Sequence, residues 1–248
     1  MGGVTRALGI ARSLAMYYGN PRKARRMAGF YSAFVARGSL AFDIGAHAGN
    51  RVRCFRRLGA RVVAVEPQPD FARLLRFLFR GDPDVTVVEA AVGATAGSAR
   101  LQVAERTPTV STLSLRWAAR VGQDPSFRGV SWAEGPEVEV TTLEALIVRY
   151  GAPGFVKIDV EGLEADVLRG LGRPLPALSF EYLPAARDVA LACVDRLESL
   201  GRYRYNWSAG ETHRLAAPEW LDAAVIRNLL RRPPAGAGSG DIYARCPG

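Results

Sequence analysis

The chain has 248 residues, 48% of them hydrophobic and 23% charged, which is ordinary globular usage and excludes a mostly disordered chain. The formal net charge of +9 invites a nucleic-acid or membrane-surface reading. The charge is uneven, however. Residues 1–42 hold seven basic residues (Arg6, Arg12, Arg22, Lys23, Arg25, Arg26, Arg37) and no acid, whereas the rest carry 26 basic against 24 acidic residues. The body is therefore nearly neutral and the excess is N-terminal. Only Lys23 and Lys157 are lysines, an arginine bias of the kind that coding composition produces. Cys54, Cys193 and Cys246 are far apart and form no CxxC, which argues against a disulfide scaffold or zinc site and fits a reducing compartment. No apolar run approaches the ~20 residues of a membrane span. Gly9, Arg12 and Ser13 interrupt any signal-peptide core, and Arg6 breaks the myristoylation pattern after Met-Gly-Gly. A cytoplasmic location is expected.

In chain order, Leu8, Ala11, Ala15 and Tyr18 recur at helical spacing, which predicts a helix over 4–18. Asn20 reads as an N-cap before Pro21. Met27, Phe30, Tyr31 and Phe34 carry that second helix to about Ala36, and Gly38 ends it. Strands and helices then alternate. Strands are predicted at Leu40–Ile44, Arg61–Val65 and Val85–Val92, with helices over 50–58 and 71–79 between them. Ala99–Val103 and Glu137–Val140 read as strands around an irregular stretch. A strand at Phe155–Val160, a helix marked by Leu163, Val167, Leu168 and Leu171, and a strand at Ala177–Tyr182 follow. Ala190, Cys193, Val194 and Leu197 mark a helix closed by Gly201. Arg202–Trp207 and Asp241–Ala244 are the last strands, with a Pro/Gly-rich loop over 233–240 before the second. The alternation predicts one α/β domain with a mostly parallel sheet.

Ligands of such a sheet bind at the carboxyl ends of its strands. The first strand ends in FDIGAHAGN (42–50), whose glycines would let a ligand approach the backbone. The second ends in VVAVEP (62–67), placing Glu66 where a carboxylate can take both ribose hydroxyls of an adenosine. A dinucleotide fits poorly. His47 occupies the place of the second glycine of GxGxxG, and Asn50 that of the third. Asp43 would repel a pyrophosphate but attract an ammonium or sulfonium. Adenosine at one end and positive charge at the other describe S-adenosylmethionine. The plainer reading is an ordinary α/β turn with a chance acid downstream.

A second acidic cluster lies at 156–164, VKIDVEGLE. On a strand, Lys157, Asp159 and Glu161 share one face. Lys157 should be partly buried and so needs a partner, for which Glu181 on the next strand is the candidate. A structural ion-pair network explains Lys157 and Glu181 as well as a functional role does. Asp159 and Glu161, at the strand's carboxyl end, stand where ligands bind.

The arrangement resembles the FkbM-type family of S-adenosylmethionine-dependent methyltransferases. The matching stretches are FDIGAHAGN (42–50), VVAVEPQP (62–69), VVEAAVGATAG (87–97), TTLEAL (141–146), FVKIDVEGLEADVLRGL (155–171) and SFEYLP (179–184). The resemblance covers about 38–184, and KIDVEG-x-E is its most specific part. It implies the Rossmann-like, seven-stranded class I methyltransferase fold with an antiparallel last strand. That domain would occupy 39–248, preceded by a basic helical extension over 1–38. It implies methyl transfer to oxygen on a sugar or secondary-metabolite hydroxyl. Carried over, Asp43, Gly45, Ala46, Gly49 and Asn50 cradle the cofactor's amino-acid end. Glu66 and Pro67 lie at the ribose, and Glu89, Ala90 and Ala91 near the adenine. The family often has Asn where this chain has His47, so His47 reads either as a packing residue near the cofactor or as a general base.

Methyl transfer is an in-line displacement, so the acceptor oxygen must be aligned and relieved of its proton. Asp159 or Glu161 is the candidate base, with Lys157 and Glu181 as charge partners. Asp159, Glu161 and Glu181 could alternatively ligate a divalent metal, but the expected site is metal-free. His213, Ser111 and Thr112 lie in loops that could face an acceptor, although polar loop composition explains them equally well. Specificity is expected from 104–135 and 205–240. The expected partner is a small-molecule or glycan acceptor, not nucleic acid. Residues 1–38 read as a lid or docking arm biased toward an anionic membrane surface or acceptor. Two rival readings remain: an NAD-dependent oxidoreductase, which His47 disfavours, and a nucleic-acid- or lipid-binding protein using the basic arm.

Overall fold

A computed structural model describes Gly9, Leu14 and residues 19–104, 107–232 and 238–247. The helix expected over 4–18 lies outside the described residues, Gly9 and Leu14 apart. Helix α1 (Pro21–Tyr31) is capped by Asn20, whose Oδ1 accepts from the N–H groups of Arg22 (3.0 Å) and Lys23 (3.1 Å). It ends at Tyr31 rather than about Ala36. There Phe34 N–H and Val35 N–H both turn back to the Tyr31 carbonyl and close the last turn.

Seven strands form the main sheet: β1 (Leu40–Ile44), β2 (Arg61–Val65), β3 (Val85–Val88), β7 (Phe155–Ile158), β8 (Ala177–Tyr182), β9 (Arg204–Ala209) and β10 (Gly240–Arg245). Their order is β3-β2-β1-β7-β8-β10-β9. Only β10 is reversed, pairing antiparallel with β8 and β9. This is a Rossmann-like, mostly parallel arrangement with an antiparallel last strand. A smaller sheet joins β4 (Ala91–Gly93), β6 (Ala133–Thr142) and β5 (Gly97–Val103). The single strand expected over Val85–Val92 is thus two strands, one in each sheet.

Helices cover both faces, so the central strands β1 and β7 are buried on both sides. On one face, Phe42, Ile44, Val156, Ile158 and Phe180 pack under α5 (Leu143–Tyr150), α6 (Glu164–Arg169), α7 (Arg187–Leu200) and α8 (Ala223–Arg231). On the other, Ala41, Val62, Ala64, Phe155 and Tyr243 pack under α1, α2 (Asn50–Arg57) and α3 (Pro69–Leu78). Strand alternation puts Asp43, Lys157, Glu181 and Asp241 on this second face, near the carboxyl ends of the parallel strands. Register brings them together: Asp43 pairs with Lys157 across β1–β7, and Asp241 with Glu181 across β10–β8.

Helix α1 belongs to the packed core. Tyr31 is fully buried and meets Phe55 edge-on at 5.1 Å, and Phe34 stacks on Tyr243 at 5.2 Å. Three helices, α5, α8 and one over Leu115–Val121, were not expected. Helix α4 (Leu115–Val121) is capped by Ser114, whose hydroxyl accepts from Trp117 N–H. Helix α8 is capped by Asp222 and buries Ala223, Ile226 and Leu230 on one face.

Candidate active site

The site grows from three backbone ties at the strand ends. Gly45 and Ala46 N–H both donate to Val65 O, and Asp159 N–H donates to Ile44 O at 2.9 Å. Strand β7 stops at Ile158, so Asp159 and Glu161 sit in the following loop, not on the strand. Gly45 has φ +83, and a Cβ there would run into the Asp159 carbonyl. At Gly49 (φ +78) a Cβ would meet Leu75 and Phe79. Packing of the chain against itself therefore demands these glycines, apart from any approach of a ligand.

A cleft of about 540 Å³ opens beside this junction. Val65, Ala91, Leu101 and Leu163 make it apolar, with Glu66 at its edge. The Glu66 carboxylate accepts from His47 N–H (2.8 Å) and Gln68 N–H (2.9 Å). Burial pushes its pKa up to about 7, while these N–H bonds pull it down. His47 packs its ring on Phe71, centroids 3.9 Å apart, and holds φ 48.

A second lobe, about 780 Å³, continues from the first, sharing Gly45, His47, Thr109, Asp159 and Glu161. Its lining is charged: Asp43, Arg51, Glu181, Glu211 and Asp241. Lys157 lies beneath it, fully buried, with Nζ 3.1 Å from Asp159 Oδ2, 3.0 Å from Asp241 Oδ1 and 3.2 Å from Ile158 O. Burial would lower the Lys157 pKa, but Asp159 and Asp241 outweigh it and hold the ammonium above its usual range. The partner is thus not the expected Glu181, because β10 brings Asp241 within reach instead. Carboxylate oxygens of Asp159, Glu161 and Glu181 lie within 4.8 Å of one another. Burial and mutual repulsion raise the pKa values of Glu161 and Glu181 well above the usual carboxylate range. Three hard oxygen donors are the kind of set a divalent cation takes, but Lys157 already occupies one of them.

The loop that carries Glu161 is pinned from both sides. Thr112 Oγ1 donates to Glu161 O at 2.7 Å, and Glu164 Oε1 accepts from Val160 and Gly162 N–H. Glu161 itself holds φ 54, a strained value for a non-glycine residue.

Of the residues expected at the cofactor, Asp43, Gly45, Ala46, His47, Asn50, Glu66, Pro67, Ala90 and Ala91 line one lobe or the other. Glu89 does not. It turns outward to pair with Arg76 at 2.6 Å, because the chain leaves β3 there. Gly49 acts instead as the N-cap of α2. His213 packs against Phe30 and Tyr31 rather than lining either lobe. Arg51, Glu211 and Asp241 were missed. They come from three distant segments, and no local motif flags them.

An acid-lined cleft with one carboxylate placed for a ribose fits S-adenosylmethionine. Asp43 Oδ2 is buried without a hydrogen-bond partner, open to an ammonium and hostile to a pyrophosphate. The family profile of the Methyltransferase FkbM domain matches residues 43–187, more than half the chain. The chain belongs to the FkbM methyltransferase family. This FkbM-family enzyme is an S-adenosylmethionine-dependent methyltransferase. No curated protein matches it. Among solved structures it is similar to a TehB-like SAM-dependent methyltransferase from Corynebacterium glutamicum (12% identity, 95% of this chain, 94% of that one, TM-score 0.47). It is similar also to precorrin-6y C5,15-methyltransferase from Geobacter metallireducens (15% identity, 89% and 87% coverage, TM-score 0.45). A third is Aeropyrum pernix fibrillarin with natively bound S-adenosyl-L-methionine (11% identity, 85% and 68% coverage, TM-score 0.44). No described helix is long and apolar enough to cross a membrane.

Proposed function

We propose that the enzyme methylates a hydroxyl oxygen of a small-molecule or glycan acceptor held in the acidic lobe. The observation that carries this reading is the Asp159–Glu161–Glu181 cluster over a buried lysine. When bound, S-adenosylmethionine supplies an electrophilic methyl group on a sulfonium. The chain must then hold an alcohol in line and accept its proton. Glu161 lines both lobes and is the assigned base, with Glu181 close enough to share the proton. Lys157 fixes Asp159 and Asp241 and offsets the negative charge of the lobe. Glu66 holds the ribose, and Asp43 faces the ammonium. Several carboxylates that accept hydrogen bonds suit a polyhydroxylated acceptor.

Arg22, Arg25 and Arg26 are exposed on α1. They support the further reading that this face makes peripheral contact with an anionic membrane surface. Co-sedimentation with vesicles containing anionic lipid tests it: wild type should pellet, and a triple Arg→Gln variant should not.

The enzymatic reading is tested by incubation with methyl-labelled S-adenosylmethionine and fractionated cell extract. The label should appear as a methyl ether. Label on nitrogen or carbon would overturn the assignment to oxygen.

A further inference from the structure

We infer that Arg51 is the anchor for the carboxylate of the cofactor's amino-acid end. The inference rests on the reading that Glu66 takes the ribose in the apolar lobe. The amino-acid end must then extend past Gly45 into the second lobe. That end is a zwitterion, and a site that encloses it needs both an acceptor for the ammonium and a cationic donor for the carboxylate.

The second lobe holds one unsatisfied atom of each kind. Asp43 Oδ2 and Arg51 Nε are both buried, and neither has a hydrogen-bond partner. Arg51 is the one Lys or Arg that lines either lobe among the described residues. Lys157 is not available, since its ammonium is already taken by Asp159, Asp241 and the Ile158 carbonyl. The Arg51 side chain keeps only 12% of its exposure and is held from one side. Its Nη1 lies 3.2 Å from Glu211 Oε1 and 3.5 Å from Asn50 Oδ1. Glu211 is tied in turn to Lys23 of α1. A guanidinium fixed on one edge, with a bare N–H elsewhere, is preorganised to receive a carboxylate. The competing role is charge balance alone: Arg51 would then offset Asp43, Asp159, Glu211 and Asp241 without touching a ligand.

The two roles separate by calorimetric titration of S-adenosylmethionine and of decarboxylated S-adenosylmethionine, which differ only in the carboxylate. Wild type should bind the complete cofactor roughly 10–100-fold more tightly, the range for a hydrogen-bonded charged group. Arg51→Gln should lose that preference, weakening S-adenosylmethionine while leaving the decarboxylated form within about threefold of wild type. Arg51→Lys should keep part of the preference. Equal wild-type affinities for the two ligands, or equal weakening of both by Arg51→Gln, would overturn the assignment. Equal wild-type affinities overturn the assignment even if Arg51→Gln, checked by its thermal melt, fails to fold, and Arg51→Lys then tests the residue. Wild type that bound neither ligand would instead remove the cofactor reading on which the inference rests.

Discussion

The two lobes of the cleft meet at the same loop residues, yet they are built on opposite principles. The apolar lobe takes its walls from Val65, Ala91, Leu101 and Leu163, and its one carboxylate, Glu66, is satisfied by two backbone N–H groups. Backbone fixes that lobe, so side-chain motion scarcely changes it. The acidic lobe has few backbone ties. Side chains from six segments meet there, and buried charges are balanced against one another through Lys157 and Arg51. A satisfied, apolar surface suits a constant group, the cofactor's adenosine. A charged surface suits the cofactor's zwitterionic end, proton transfer and a polar acceptor.

The contrast can be broken by substitution. Glu161→Gln, which removes the assigned base, should lower the methyl-transfer rate by about 10²–10⁴-fold. Cofactor affinity should stay within about threefold, measured with labelled S-adenosylmethionine and an active extract fraction. Gly45→Ala strikes the junction of the lobes, because its Cβ meets the Asp159 carbonyl at positive φ. It should cost about 2–4 kcal/mol of stability by chemical denaturation. Glu66→Ala should weaken cofactor binding roughly 10–100-fold by calorimetry, and an unchanged affinity would refute its ribose role.

The pH dependence sharpens the same comparison. Burial raises Asp43, Glu66 and Glu164 to about 7. Their folded-state affinity for protons thus exceeds that of the unfolded chain. Their contribution to stability is fully present below the ordinary carboxylate range and is lost as pH rises toward 7. The melting temperature of the ligand-free protein should therefore fall between pH 5 and 8, while cofactor affinity rises as Glu66 ionises. A melting temperature that rose across this window would contradict the burial of these acids. Chelation with EDTA should leave the rate unchanged; loss restored by added magnesium would reassign the three carboxylates to a cation. The smallest effect belongs to Lys23→Ala, which removes a half-exposed ion pair with Glu211. It should shift stability by about 0.5 kcal/mol.

The motif-borne residues of both lobes were legible in the sequence, and the members of the acidic lobe that come from distant segments were not. FDIGAHAGN and the acid of VVAVEP are local signals, since a strand end followed by a turn places its residues by backbone geometry alone. Alternation was the signal for Lys157, Asp159 and Glu161 sharing a face, but β7 stops at Ile158 and leaves the two acids in the loop. The reversed last strand entered with the family resemblance. Alternation could not predict that β10 would carry Asp241, rather than Glu181, to Lys157, because the choice depends on antiparallel register across two strands. Arg51 and Glu211 were silent for a similar reason: each gains meaning only from a partner far along the chain. Helix α8 was readable in principle from the Asp222 cap and the spacing of Ile226 and Leu230, but the adjacent Pro/Gly-rich stretch masked it. Glu89 was misplaced because the strand before it ends early and the chain crosses to the second sheet.

The division of labour is tested most directly by a cofactor saturation curve for Glu181→Gln, whose wild-type side chain lines the acidic lobe alone. With an active extract fraction and labelled S-adenosylmethionine, the maximal rate should fall at least about tenfold. The half-saturating cofactor concentration should stay within about threefold of wild type. A maximal rate unchanged beside a half-saturating concentration raised tenfold would contradict the account, because it would give Glu181 to cofactor binding and not to the acceptor chemistry.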